Sequence, residues 1–428
     1  MAEVTFSRKV QFYGDYDVVV IGGGPAGVCA GISSARAGKK VLLVEAEPCL
    51  GGMATSAGVG PFMTNYDRDG NQQTVAGIFA EIVEQLEKRS AGIPSSKVDS
   101  PSEYTAFISK YHRHVTPFSS FDLQIVLDDM VKESGAEVLC YTQFVDCDIV
   151  DGKITNAILL AKDKLIAVSG KIFIDCTGIA SVAHKAGVPT YIGDEEYGIP
   201  QPGTLMFEVY NVNDQDFINY GTAPYPVKPY RTPIDGKYKI NHYHVYNVNA
   251  CDAKQMTDAH ILARKQVLSA YEVLLKTPGF QNSKIASVAH VLGVRECRHI
   301  EGEYKITVDD VSQGTKFDDR IAVYGFGMDV HCRTEKDKGN FKIEVAKKYY
   351  IPYKSLLPKN VDNLLVAGKT ISCQSQAVGG MRCMPACMAM GHAVGVASAI
   401  AIDDGEGVKN IDVKKLQKIL LEQNAIID

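Results

Sequence analysis

The chain has 428 residues, of which 46% are hydrophobic and 22% are charged. This composition is ordinary for a soluble globular protein, and the length is sufficient for two or more domains. The net charge is -5 at pH 7, and the lysines and arginines are scattered without a basic run. Charge therefore argues against a nucleic-acid-binding protein.

The N-terminal stretch and the cysteines indicate the expected compartment. Residues 1–16 are polar, so we expect no secretory signal. Charges, glycines and histidines interrupt the apolar stretches, which predicts no transmembrane segment. The eleven cysteines include no Cys-x-x-Cys pair, which argues against zinc, iron–sulfur clusters and a thioredoxin-type pair. We expect a cytoplasmic protein with reduced thiols and no metal.

The first predicted unit is strand–turn–helix–strand. Residues 17–21 form a β-branched apolar run that is typical of a buried parallel strand. A glycine loop follows at once, and residues 28–38 have the small side chains of a closely packed helix that ends at Gly38. Residues 40–44 predict the next strand, which leads to Glu45.

Further segments predict a return to the same sheet after a helical excursion over residues 61–135. Helices are expected at residues 74–89 and 121–134, and Asp151-Gly152 is a predicted hairpin turn. The predicted strands are residues 137–149, 153–160 and 164–168, which form an antiparallel meander, and then 171–175 and 363–368. Helices are also predicted at residues 385–400 and 413–423.

The middle of the chain has a different composition, rich in Tyr, Asn, Pro and His. Its period-two stretch at residues 242–246 favours an antiparallel sheet. The sequence thus predicts an α/β protein: a Rossmann-like domain with an inserted, mainly antiparallel β (α+β) substrate domain. The expected boundaries are 1–194 and 351–428 for the first domain and 195–350 for the insertion.

The glycine loop carries the spacing of a dinucleotide-binding turn. Gly22 permits the tight turn, Gly24 lets the backbone approach a pyrophosphate, and Gly27 lets helix and strand pack closely. The helix N-terminus offers free N–H groups to the phosphates. Glu45 is placed to accept hydrogen bonds from ribose hydroxyls and to repel a 2′-phosphate. FAD or NAD is therefore favoured over NADP.

Two later glycine-rich segments distinguish FAD from NAD. Residues 50–58 follow Glu45, and residues 363–368 with 377–386 form a strand–glycine–helix unit. Here the sequence resembles the FAD-dependent oxidoreductases of the glutathione-reductase-like superfamily. Motifs within residues 293–298, 317–322, 327–331 and 351–356 are similar to the branch known as the FAD-dependent oxidoreductase family.

The resemblance implies FAD as the cofactor and a closing helix that begins at the flavin. Pro385 suits the first turn of that helix, whose free N–H groups would face the pyrimidine carbonyl of the flavin. The expected cofactor-binding residues are Gly22, Gly24, Pro25, Ala26, Gly27, Glu45, Ala46, Gly52, Met53, Ala54, Thr55, Val145, Thr177, Gly178, Gly368, Cys383, Met384 and Ala386.

Two departures from the disulfide reductases of this superfamily narrow the chemistry. Residues 51–62 contain no cysteine, and no second dinucleotide fingerprint follows. We therefore expect an enzyme that is not a disulfide reductase. Its electron acceptor would be dioxygen, a quinone, a carrier protein or a second substrate.

The candidate catalytic residues are one histidine and three arginines. His331 ends a strand-like run and is the first choice for moving a proton, although a structural role is equally compatible with its position. Arg295, Arg298 and Arg382 are candidate anchors for a carboxylate or an oxyanion. Arg298 could equally form an ion pair with a neighbouring glutamate.

The sequence does not decide the roles of the other histidines and tyrosines of the inserted region. His242 and His244 would share one strand face, but no third metal ligand can be placed. Five tyrosines are candidates for a pocket that takes a polar substrate or, equally, for half-buried strand positions: Tyr225, Tyr230, Tyr238, Tyr243 and Tyr246.

The sequence thus predicts an FAD-dependent dehydrogenase or oxidase that transfers a hydride between the flavin and a small hydroxylated or carboxylated substrate. One alternative is a flavin-dependent reductase of an activated C=C bond. Another is a protein that uses FAD as a binding platform without redox turnover. Substrate, reaction direction and oligomeric state stay open, a homo-oligomer included.

Overall fold

The computed structural model describes residues 7–108, 112–334 and 345–428. The strands are β1 (Gln11–Ile21), β2 (Val41–Val44), β3 (Glu137–Leu139), β4 (Thr142–Val150), β5 (Lys153–Ala161), β6 (Lys164–Asp175), β7 (Thr190–Ile192), β8 (Phe207–Tyr210), β9 (Lys228–Arg231), β10 (Tyr238–Asn241), β11 (Lys284–Val288), β12 (Arg298–Ile300), β13 (Arg320–Tyr324), β14 (Tyr349–Pro352) and β15 (Leu364–Val366). The helices are α1 (Pro25–Arg36), α2 (Ile78–Lys88), α3 (Ser120–Ser134), α4 (Ser181–Lys185), α5 (Asp214–Tyr220), α6 (Ala253–Leu274), α7 (Val308–Gln313), α8 (Val378–Met381), α9 (Met384–Asp404) and α10 (Val413–Glu422).

The largest sheet has the Rossmann-like arrangement that the sequence predicts. Its strand order is β3-β2-β1-β6-β5-β4, and β15 also pairs with β6. The pairs β2–β3, β1–β2, β1–β6 and β6–β15 are parallel, whereas β4, β5 and the first half of β6 form the predicted antiparallel meander. On β1, Val18 and Val20 face one core and Val19 and Ile21 face another, so the sheet is buried on both faces.

Strand β6 is longer than predicted. The sequence pattern predicts separate strands at residues 164–168 and 171–175, but β6 is continuous from Lys164 to Asp175. The reason is β1, which pairs with β6 along almost its full length. On its other edge, β6 pairs first with β5 and then with β15. One strand therefore joins the meander to the parallel core.

Helices α1 and α9 pack closely against each other through small residues. A Cβ atom at Gly391 would lie 2.0 Å from the carbonyl oxygen of Ala26, and one at Gly395 would lie 1.9 Å from Oγ of Ser33. Helix α9 is long and apolar enough to span a membrane by length and composition, which the sequence analysis did not anticipate. Most of its surface is buried inside the protein, where α1 covers one side.

A second sheet, antiparallel in order β11-β8-β10-β9, lies within the predicted insertion. Helix α6 covers it and buries Ala259, Ala263, Val267, Ala270 and Leu274. This 22-residue helix was not predicted. The predicted strand at residues 242–246 is wrong, because β10 ends at Asn241 and the following stretch has only an isolated bridge at Val245.

Two short antiparallel ladders cross the predicted boundaries of the insertion. Strand β7 pairs with β12, and β13 pairs with β14. Buried side chains between Ile306 and Met328 belong to the same core as α1 and α9. The boundaries at 194/195 and 350/351 stay predictions.

Lys239 on β10 gives a prediction about stability. It is 2% exposed, its Nζ donates to Oγ of Ser120 at 2.6 Å, and burial lowers its pKa to about 8. The unfolded chain binds this proton more tightly, with a lysine pKa of about 10.4. Burying the ammonium therefore destabilises the folded protein by its full amount below about pH 8, and this destabilisation disappears as pH rises toward about 10.4.

We therefore expect Lys239→Met to be more stable than wild type near pH 7, with the difference shrinking as pH increases. Urea unfolding of both proteins at several pH values measures it. A stability difference that is independent of pH would contradict a buried, titrating Lys239.

Candidate functional site

The glycine loop joins β1 to α1 in the way that its spacing predicts. Gly22 has a φ of +101°, and a Cβ there would lie 2.5 Å from the carbonyl oxygen of Cys176. A Cβ at Gly27 would lie 1.7 Å from the carbonyl oxygen of Gly22. Gly24 differs, because a Cβ there meets nothing within 4 Å. Gly22 and Gly27 therefore serve packing, whereas Gly24 leaves space in front of the helix N-terminus.

That space belongs to a cleft of about 1420 Å³, here called the glycine-loop cleft. The carboxyl ends of the parallel strands and the segments that follow them form it, as is usual for open α/β sheets. The predicted cofactor residues that line it are Gly22, Gly24, Pro25, Ala26, Glu45, Ala46, Gly52, Met53, Thr177, Gly178, Gly368 and Met384.

The other predicted cofactor residues lie outside this lining. Ala54 and Ala386 are buried in the core, and Thr55 donates its hydroxyl to the carbonyl oxygen of Leu50 at 2.7 Å. Gly27 lies at the contact between α1 and the loop, and Cys383 lines a neighbouring cavity.

Val145 is displaced from the cleft by a β-bulge. In the pairing of β4 with β5, Phe144 pairs with Leu159 and Asp146 with Ile158, so Val145 has no partner. Its side chain is exposed, and Phe144 lines the cleft in its place. The sequence pattern gives no signal for this extra residue.

Glu45 ends the second parallel strand and lines the cleft. Its Oε2 accepts a hydrogen bond from the N–H of Gly23 at 2.6 Å, and its Oε1 accepts one from the N–H of Glu47 at 2.8 Å. Burial raises the pKa of Glu45, and these N–H groups oppose that increase. The carboxylate is thus held rigidly beside the glycine loop.

A second cavity of about 1030 Å³ adjoins the cleft and is here called the arginine cavity. The two share five lining residues, namely Met53, Val294, Lys369, Arg382 and Met384. Met384 is also the first residue of α9, so a helix N-terminus lies at the junction. The two spaces therefore adjoin at these residues.

The arginine cavity concentrates positive charge. Arg295, Arg382, Lys228 and Lys369 line it, and Asp329 is the one carboxylate among its described lining residues. Burial of Arg295, together with the charge of Arg382, lowers the pKa of Arg295 to about 10. Such a cavity attracts an anion, for example a carboxylate.

Asp329 is the centre of the charged groups. Its Oδ2 lies 3.1 Å from Nε2 of His331 and accepts a hydrogen bond from Nη2 of Arg382 at 3.0 Å. The cavity desolvates Asp329 only in part, since its side chain is 48% exposed, and His331, Arg382 and Arg295 hold the pKa of Asp329 well below its usual range. Asp329 is therefore an anion that orients both His331 and Arg382.

The three predicted arginines take different positions. Arg295 donates from Nη1 to the carbonyl oxygen of Pro202 at 2.8 Å and to Oγ1 of Thr204 at 2.9 Å, which fixes it in the arginine cavity. Nε of Arg382 is buried and has no hydrogen-bond partner among the described residues. Arg298 lies outside both linings, with Nη1 3.4 Å from the carbonyl oxygen of Ile179.

His331 lines the cavity but does not end a strand, contrary to expectation. It lies in an irregular segment after β13, because its N–H binds the side chain of Gln201 at 3.1 Å and not a neighbouring strand. Burial and the charge of Arg295 lower the pKa of His331 to about 4, so it is neutral near pH 7.

The two histidines predicted to share a strand face have separate environments. His244 packs edge-on against His331, with ring centroids 4.8 Å apart. His242 is buried, and its Nε2 contacts the carbonyl oxygen of Leu205. Among the described residues, no group of three or more His, Cys, Asp or Glu side chains is arranged to hold a metal ion.

Two lining residues that the sequence pattern does not single out are Lys228 of β9 and His112. The hydroxyl of Tyr230, also on β9, lies 3.3 Å from Nδ1 of His112. Among the tyrosines considered, Tyr230 lines the cavity, whereas Tyr225 is 90% exposed. Lys369 could have been found from the sequence, because it directly follows the predicted Gly368.

Comparison with known proteins gives a family match across most of the chain. Residues 17–420 match the family described as FAD dependent oxidoreductase. Thiamine thiazole synthase of Methanococcus aeolicus is 28% identical over 198 residues, which are 44% of this chain and 64% of the relative. Digeranylgeranylglycerophospholipid reductase of Thermoplasma acidophilum is 26% identical over 173 residues, 39% of this chain and 40% of the relative. The matches thus span less than two thirds of these curated relatives.

Solved structures share the fold at low sequence identity. A geranylgeranyl bacteriochlorophyll reductase-like protein of Thermoplasma acidophilum has a TM-score of 0.50 and 13% identity, over 96% of this chain and 84% of that one. The p-nitrophenol 4-monooxygenase of Pseudomonas putida has a TM-score of 0.52 and 11% identity, over 96% and 86%.

The residues of the cleft fit FAD, the cofactor of the matched family. Gly24 leaves open space at the N-terminus of α1, where a pyrophosphate needs close approach. Glu45 is held beside the loop. At the other end, the Nε of Arg382, which has no hydrogen-bond partner in the described part of the chain, and the N-terminus of α9 offer donors to a polar ring edge.

Proposed function

Because the chain belongs to the FAD dependent oxidoreductase family, we propose that it transfers a hydride between the flavin and a small polar substrate that carries a carboxylate. The observation that carries this proposal is that the glycine-loop cleft and the arginine cavity share five lining residues. FAD supplies hydride acceptance and donation when bound. The residues of the cavity select, orient and protonate or deprotonate the substrate.

Substrate binding rests on the two arginines of the cavity. Arg295 is held by Pro202 and Thr204, so its remaining N–H groups are oriented in advance. A substrate carboxylate there would offset the mutual repulsion of Arg295 and Arg382, which lowers the pKa of Arg295. A neutral analogue of the same shape would leave this repulsion in place.

Proton transfer is assigned to His331. Its Nε2 faces the ionised Asp329, which favours the tautomer that carries the proton on Nε2 and leaves Nδ1 able to accept one. A neutral imidazole suits removal of a hydroxyl proton as a hydride leaves the adjacent carbon. This arrangement favours oxidation of a hydroxylated substrate.

Arg295 supports the second candidate, reduction of an activated C=C bond. With its pKa lowered to about 10, Arg295 is a stronger acid than an ordinary arginine and could donate a proton to a substrate carbon. The two candidate functions differ in the direction of hydride transfer between substrate and flavin. The first predicts that substrate bleaches the oxidised flavin, and the second predicts that substrate reoxidises the reduced flavin.

The test is a screen of hydroxy acids and unsaturated acids against the purified protein. A yellow protein whose flavin absorbance is bleached by hydroxy acids, but not by their esters, supports the first candidate. Reoxidation of photoreduced flavin by unsaturated acids supports the second. A folded protein that takes up FAD but responds to neither class would support the redox-inactive platform.

A matched pair of arginine variants tests the anchor. We expect Arg295→Gln to weaken binding of the carboxylate substrate at least ~10-fold, because it loses a charge-assisted hydrogen bond. Arg298→Gln is the control, since Arg298 comes from the same segment but lies outside the cavity. Titration of flavin absorbance measures both, and equal losses in the two variants would contradict the assignment.

The electron acceptor and the compartment are also proposals. We propose that dioxygen, a quinone or a carrier reoxidises the flavin of a cytoplasmic enzyme that does not reduce disulfide substrates. Stopped-flow reoxidation of the reduced protein by each acceptor class distinguishes them.

A further inference from the structure

Two cysteines that are 46 residues apart in sequence meet beside the glycine-loop cleft. Sγ of Cys251 lies 3.2 Å from Sγ of Cys297, and both thiols are free. A disulfide has an S–S distance of about 2.05 Å, so a movement of about 1.2 Å would close the bond. Neither cysteine belongs to a Cys-x-x-Cys motif, and the sequence analysis assigned them no role.

The pair lies where two walls of the cleft meet. Cys251 directly follows Ala250, which lines the cleft, and directly precedes Asp252, which caps α6. Cys297 is three residues from Val294, which lines both the cleft and the arginine cavity, and two residues from Arg295. A covalent bond between the sulfurs would therefore connect the start of α6 to the segment that carries the proposed substrate anchor.

The chemistry of the two thiols differs in a way that suits disulfide exchange. Cys251 is partly exposed, whereas Cys297 is buried. A hydrogen bond from Cys251 lowers the pKa of Cys297, and the charges of Lys369 and Arg298 act in the same direction against burial. Cys251 is thus the thiol that an oxidant reaches; the same hydrogen bond raises the pKa of Cys251, so Cys297 is placed to take its proton.

We propose that Cys251 and Cys297 form a reversible disulfide that fastens the two walls of the glycine-loop cleft. With glutathione disulfide, Sγ of Cys251 passes its proton to Cys297 as it attacks, forms a mixed disulfide and releases one glutathione as a thiolate, which takes that proton from Cys297. The thiolate of Cys297 then attacks Sγ of Cys251 and displaces the second glutathione as a thiol. Two protein thiols are oxidised, and one glutathione disulfide is reduced to two thiols.

The experiment treats the FAD-loaded protein with glutathione disulfide and identifies disulfide-linked peptides by mass spectrometry without reductant. We expect a peptide pair that joins Cys251 to Cys297, lost in Cys251→Ser and restored to free thiols by dithiothreitol. Cys147→Ser is the control, because Cys147 is also partly exposed but lies on β4. It should form the bond as wild type does.

The second readout is release of FAD, measured as the recovery of flavin fluorescence after dilution. The oxidised wild type and Cys147→Ser should release FAD at least ~3-fold more slowly than their reduced forms, whereas Cys251→Ser should not respond. Absence of the 251–297 linkage would overturn the proposal. A linkage that forms without slowing FAD release would overturn it too.

Discussion

Gly27→Ala is expected to yield protein that retains little or no FAD and unfolds at markedly lower denaturant concentration. A Cβ at this position would lie 1.7 Å from the carbonyl oxygen of Gly22 and 3.2 Å from Cβ of Cys176. The first of these atoms belongs to the backbone of the loop, so no side-chain rotation relieves the overlap. Overpacking of this kind costs about 1–3 kcal/mol, and the required shift moves the loop that faces the pyrophosphate.

Variants of two further glycines, one in the loop and one in α1, distinguish a role in packing from a role in cofactor binding. Gly31→Ala adds a methyl group 3.6 Å from Leu43, an ordinary contact, so this variant should match or exceed wild-type stability and retain FAD. Gly24→Ala has open space around its Cβ. It should fold normally but bind FAD more weakly, because its methyl group enters the cleft.

Urea unfolding and the ratio of flavin to protein absorbance measure the three variants. The expected order of FAD content is Gly31→Ala, then Gly24→Ala, then Gly27→Ala. If Gly27→Ala retained full FAD and wild-type stability, the close contact between α1 and the loop would not have the structural role assigned to it.

The glycine loop could be predicted from sequence because its requirements are local. Gly22 has a φ of +101°, and a Cβ at Gly27 would overlap the carbonyl oxygen of Gly22, so both of these requirements for glycine arise within the turn itself. Strand β6 was divided in two because its continuity depends on β1, which is distant in sequence. The exposed position of Val145 could not be predicted because a bulge depends on pairing register, which the residue pattern does not encode.

The arginine cavity was harder to predict because its parts are distant in sequence. Arg295, Arg382 and His331 lie in recognisable motifs, but the pattern does not indicate that Asp329 contacts both Arg382 and His331. Helix α6 escaped prediction although its buried residues recur every three or four positions, since most of them are alanines in a polar stretch. The antiparallel sheet that α6 covers supplies Lys228 and Tyr230 to the cavity.

His331→Gln is expected to keep bound FAD and to slow flavin reduction by substrate at least ~100-fold, the usual scale of acid–base assistance. Glutamine preserves much of the volume and a hydrogen-bond donor toward Asp329, but it cannot accept the substrate proton. His331 is not among the residues that line the glycine-loop cleft, so cofactor content should not change. Rapid mixing of oxidised protein with the substrate found by screening measures the rate, and near-wild-type kinetics would rule the role out.

The pH dependence provides a second, independent test of the same assignment. Since the pKa of His331 is lowered to about 4, kcat/KM should be constant near neutral pH and fall as pH decreases through about 4. This pKa is low partly because of the charges of Arg295 and Arg382, with burial the larger cause. A bound carboxylate offsets those charges and so raises the pKa of His331 in the complex. The acidic limb of the profile, which is the pH range in which the parameter falls on acidification, should therefore lie at higher pH for kcat than for kcat/KM.

Variants of the neighbouring charges should move this limb in opposite directions. Arg295→Gln removes a charge that disfavours the imidazolium, so it should shift the limb of kcat/KM to higher pH. Asp329→Asn removes the carboxylate that favours the imidazolium and should shift the limb to lower pH. A histidine with a purely structural role would not produce this pair of opposite shifts. If neither variant moved the limb, the titrating base would have to be another group in the cavity.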